Sequence, residues 1–121
     1  MIRDLISEYV ACADAAELVD YSSMESVHQY NSQADRMRAI VDEVVKLGPD
    51  AISQFVCVLE REPASLWAAH DLVEKADLDG ATLTRCFELV EKSRVELEAR
   101  GMSGDAMGEA MWLREWRTKH S

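Results

Sequence analysis

His70 and Glu74 lie four residues apart with Asp71 beside them, and His28 lies three after Glu25. On a helix each pair shares one face and offers at most two ligands, while a structural zinc site needs four. No HExxH and no CxxC occurs. These pairs therefore read as solvated helix-face pairs, and no metal or other cofactor is expected. Nucleophilic catalysis has less to work with. No serine sits in a strand-to-helix elbow. Cys12, Cys57 and Cys86 all fall on expected core faces, where burial suppresses the thiolate. General acid–base work needs an enclosed, desolvated carboxyl. With 23 Asp and Glu in the chain, carboxylate pairs abound and none stands out. No enzymatic activity is expected.

A binding surface is better supported. Trp67 follows Leu66, which leaves two readings open: it points away from the core together with His70, Asp71 and Glu74, or, like Trp116, it completes a small core. Trp116 lies four residues beyond Trp112, with Glu109 and Glu115 close. Aromatic anchors among carboxylates suit a basic protein partner. The indole supplies buried area and receives a cation, and the acids steer encounter. The candidate partner-binding residues are Trp67, His70, Asp71, Glu74, Glu109, Glu115 and Trp116. Trp112 is expected to finish the core.

The elements that position these residues are helical nearly throughout. Leu5, Tyr9, Cys12, Ala13 and Ala16 recur at three-to-four spacing in a first helix over about 2–20. Ser22 and Glu25 form a capping box before a long second helix with Met37, Ile40, Val41 and Val44 on its apolar face. Gly48 and Pro49 end that helix. Asp50 caps a third, carrying Phe55 and Leu59. Ser65 caps a fourth, with Leu66, Ala69, Leu72 and Val73. A fifth carries Cys86, Phe87 and Val90 to Gly101. Ser103 caps the last, with Met107, Met111 and Trp112 or Leu113. Arg38 and Asp42 are spaced to pair, and Asn31 to reach a neighbouring loop. No stretch alternates long enough for a strand. The expectation is an all-α single domain over 1–121, with about six helices in three antiparallel pairs. The expected arrangement is a HEAT/armadillo-like superhelix, with a compact bundle as the alternative.

The chain has 13 Lys and Arg, giving a net charge of −10. Residues 1–60 carry net −7 and the remainder net −3. This balance argues against nucleic acid as a partner, because phosphate binding rests on clustered bases. No apolar run suits a membrane span, and acids interrupt the N-terminal stretch where a signal peptide would be apolar. Three widely spaced cysteines fit reduced thiols in a cytoplasm.

Tyr30-Asn31 with Asp35 to Glu43 resembles the long second helix of a bacterial family known as domain of unknown function 2019. Phe55 to Leu59 and Leu66 to Leu72 resemble that family's HEAT-like helix pair, and Gly104 to Met107 with Trp112-Leu113 resemble its closing helix. The chain departs from the pattern at Ser65-Leu66-Trp67, where a HEAT helix often has Val-Arg. The resemblance implies an α-α superhelical fold and no catalytic residues. The functional expectation is an acidic protein-interaction module, most concretely an immunity-type protein that neutralises a basic toxin domain. The alternative is a regulatory or scaffold protein, homodimeric through its C-terminal tryptophans.

Overall fold

The apolar spacing of the chain folds into six α-helices in the computed structural model, which describes residues 1–20 and 22–120. They are α1 (Ile2–Ala16), α2 (Met24–Leu47), α3 (Pro49–Phe55), α4 (Ala64–Lys75), α5 (Gly80–Ala99) and α6 (Ser103–Lys119). A 3-10 segment, Val56–Glu60, follows α3 directly. There is no strand among the described residues, so the fold class is all-α. No helix among them is long and apolar enough to cross a membrane.

α1 and α2 pack as one hairpin, and α5 and α6 as another. Between the hairpins runs α4, against α5 on one side and against α1 and α2 on the other. Its sequence explains this central place. Ala64, Ala68 and Ala69 are fully buried and small, so neighbouring helices approach its backbone closely, and Leu72 fills the remaining space. The expected middle pair is lopsided: α3 is only seven residues long, and α4 does most of the packing. Tyr9 and Phe55 meet edge to face at the centre, with ring centroids 4.9 Å apart. Such a contact adds about 0.5–1.5 kcal/mol beyond the area buried.

Several helix ends differ from the sequence expectation. Ser23, not Ser22, caps α2 by accepting from Ser26 N–H, while Ser22 bonds the side chain of Asp20. Pro49 occupies the first turn of α3 and displaces Asp50 from the cap; Gly48, at φ +102°, makes the corner between α2 and α3. Pro63 and Met102 precede α4 and α6, which moves Ser65 and Ser103 inside the first turns. Asp79 caps α5 through Thr82 N–H at 2.7 Å. The end of α5 is a Schellman turn. Met102 N–H reaches Leu97 C=O, Gly101 N–H reaches Glu98 C=O, and Gly101 takes φ +78°.

Three side-chain expectations are also corrected. Cys12 and Cys86 are buried, but Cys57 is exposed, because the 3-10 segment rotates it off the face that buries Val58 and Leu59. On α6, Met107 and Met111 face outward, and Ala106 and Leu113 are the buried residues. Arg38 pairs with Asp35 rather than Asp42, which instead meets Lys75 of α4 at 2.9 Å. Asn31 is exposed.

Candidate functional site

With its alanine and leucine faces taken up by neighbours, α4 has one stripe left. Trp67, His70, Asp71 and Glu74 occupy it, at the three-and-four spacing that stacks side chains on one helix face. The side chains of α6 stand opposite. His70 Nε2 lies 3.1 Å from Glu109 Oε2, and Trp112 Nε1–H donates to Glu74 Oε2 at 2.9 Å. A carboxylate only accepts, so His70 carries its hydrogen on Nε2 in this pairing. The His70 and Trp112 rings meet at 4.2 Å between centroids. These bridges frame a cavity of about 300 Å³ lined by Leu66, Trp67, His70, Asp71, Glu74 and Glu109, with Arg38 of α2 beside them. A wider cleft of about 780 Å³ shares Leu66, Trp67 and Glu109 with it and continues past Tyr30, Gly104 and Gly108.

Asp71 forms the inner end of the site. It is 8% exposed, and its Oδ2 accepts from the fully buried Tyr9 hydroxyl at 2.7 Å. Burial pushes its carboxyl pKa above the usual aspartate value; the Tyr9 bond pulls it back, and the nearby Glu74 charge pushes it further up. The Tyr9 phenol is held well above its ordinary value, first by burial and then by the Asp71 charge. An enclosed carboxyl therefore does exist in the chain, which the sequence alone does not single out.

Five of the seven candidate residues meet at this cavity: Trp67, His70, Asp71, Glu74 and Glu109. Trp67 is half-buried and packs its ring 5.8 Å from that of Tyr30, so it forms a wall rather than a free projection. Glu115 and Trp116 lie outside the cavity lining, with Trp116 next to Trp112 at 6.3 Å between ring centroids. The Trp116 ring carries the ammonium of Lys119 at 4.1 Å, and Lys119 also meets Glu115 at 3.1 Å. A cation of the chain itself already sits on that indole, with Trp112 and His120 alongside. Glu115 and Trp116 therefore do not line the cavity, and the last turn of α6 folds Lys119 back onto both.

Arg38, Tyr9 and Trp112 belong to the site although the sequence reading did not place them there. Trp112 was legible through its spacing, three residues after Glu109 on α6. Tyr9 carries no such signal, since its partner is 62 residues away. His70 turns to Glu109 rather than Glu74, and no group of three or more His, Cys, Asp or Glu among the described residues is placed to hold a metal ion. No family model matches the chain, and neither does any curated protein or solved structure.

Proposed function

We propose that the chain is an acidic protein-interaction module that docks a basic partner at the α4–α6 cavity. Its most concrete form is an immunity-type protein that binds and neutralises a basic bacterial toxin domain. One observation carries this reading: three carboxylates and an indole line a single cavity, in a chain of net charge −10. Carboxylates presented together fill a basic cleft built for phosphate, and the surrounding charge speeds encounter. No catalytic role is assigned to the site, which has a buried acid but no nucleophile beside a base. A reducing cytoplasm fits the three unpaired cysteines. The test is co-expression with the product of the neighbouring reading frame. A complex should form at low salt, suppress the partner's activity and weaken in the Glu74→Gln, Glu109→Gln double variant. Absence of any complex at low salt removes the reading.

A homodimeric scaffold is the second reading, favoured by Met107 and Met111 on the outer face of α6, 64% and 61% exposed. Sedimentation at several concentrations separates the two. Self-association abolished by Met111→Glu supports the scaffold, and a monomer at all concentrations rejects it.

A further inference from the structure

We propose that the outer face of α6 pairs with the same face of a second copy of this chain, the two helices running antiparallel across a two-fold axis near Met111. This rests on the homodimer reading above and names its interface. α6 is 17 residues long, yet only Ala106 and Leu113 are buried in its own chain. Its exposed stripe holds Gly104, Met107, Gly108 and Met111, at the three-and-four spacing of one helix face. A helix in a protein gains most of its stability by packing an apolar face. Here two large apolar side chains of that face stand in solvent instead.

The charges of α6 select the occupant and its direction. Asp105 and Glu109 give residues 103–110 a charge of −2, whereas Arg114, Arg117 and Lys119 against Glu115 give residues 111–119 a charge of +2. An antiparallel second α6 lays each acidic half along the basic half of the other, and a parallel one sets like on like. A basic partner would meet repulsion along half of this helix. In a chain of net charge −10, α6 as a whole is neutral, so two copies approach here with least repulsion. A two-fold contact uses one patch on both copies, and a helix with oppositely charged halves is self-complementary in that sense. The glycines fit the same geometry. Gly108 weakens the helix interior in which it stands. Nothing of the chain lies within 4 Å of where a Cβ would sit at Gly104 or Gly108, so its own packing does not call for glycine at either place. A second helix does, because small residues let two helix axes come close. Met107 then packs against Met111 and the aliphatic stem of Arg114 of the other copy.

Sedimentation of the full chain at several concentrations should show a monomer–dimer equilibrium. Gly108→Leu adds a side chain where the chain itself leaves open space, so the fold tolerates it and the thermal midpoint should not fall. It should nonetheless raise the dimer dissociation constant by at least about tenfold, because it forces the two helices apart. A merely sticky apolar patch would associate as well or better with the added leucine. Direction is read by disulfide trapping in a Cys57→Ser background, which removes the exposed native thiol. Ser103→Cys and Thr118→Cys chains, when mixed, should cross-link to each other, and neither should cross-link when alone. A dimer indifferent to Gly108→Leu, or Ser103→Cys chains that link among themselves, overturns the antiparallel pairing and leaves the homodimer reading standing. A monomer at every concentration removes both.

Discussion

The Tyr9 hydroxyl donates to Asp71 Oδ2 at 2.7 Å and so joins α1 to α4 inside the core, 62 residues apart in sequence. The bond fixes the innermost acid of the cavity from behind. Tyr9→Phe removes the donor and leaves Asp71 buried without it. The loss should be about 1–3 kcal/mol, read as a lower urea midpoint at unchanged slope. Asp71→Asn keeps an acceptor for the phenol and should cost less. Equal stability of Tyr9→Phe and wild type contradicts a structural role for the bond.

The same carboxyl gives a pH signature. Burial raises the Asp71 pKa above its ordinary 3.8, so the fold favours its protonated form. Its contribution is fully present below about pH 4 and is lost as pH rises through the folded value. Glu8 has the opposite sign. Its bond to Arg36 lowers its pKa from 4.5, so its contribution is present above that value and is lost as pH falls through the folded one. Comparing wild type with Asp71→Asn isolates the first effect. The stability of Asp71→Asn relative to wild type should rise between about pH 4 and pH 7 in urea titrations. A pH-independent difference would show that Asp71 titrates normally.

The three thiols should separate by reactivity. Cys57 is exposed, whereas burial pushes the Cys86 thiol up to about 12 and raises that of Cys12. Near neutral pH a thiolate reagent should label Cys57 first and reach the other two only on unfolding. Mass spectrometry of the first adduct settles the order, and early labelling of Cys86 contradicts the packing of α5.

Two glycines should respond in opposite directions. Gly101 holds φ +78° in the Schellman turn, with open space around an added Cβ, so Gly101→Ala is opposed by the backbone alone. It should destabilise by about 1 kcal/mol. Gly108 lies within α6, also with space for a Cβ, and Gly108→Ala should stabilise by about 0.5–1 kcal/mol. Thermal unfolding midpoints decide both.

Where sequence periodicity is strong, it locates the helices and the core: all five residues marked on the first helix face, Leu5, Tyr9, Cys12, Ala13 and Ala16, are buried. It does less well at helix ends, where Pro49 and the residues Pro63 and Met102 set the starts although polar residues nearby are of cap-forming types. Cys57 escapes the helical rule because its segment winds as a 3-10 helix, which has a different period. The weakly amphipathic α6 does not disclose that its methionines face outward. The α4 stripe is legible from spacing. Its meeting with α6 is not, since it depends on how α5 turns back, and the Tyr9–Asp71 bond depends on packing far apart in the chain. The Lys119 cover on Trp116 is local, three residues along, and so lies within reach of a spacing argument.

The most direct test of the central claim is calorimetric titration of the chain with the product of the neighbouring reading frame, for wild type and for Glu74→Gln with Glu109→Gln. Wild-type affinity should be high at low salt and fall as salt is added, and the double variant should bind at least about tenfold more weakly. Undiminished binding by the double variant, or an affinity indifferent to salt, would contradict docking at the acidic cavity.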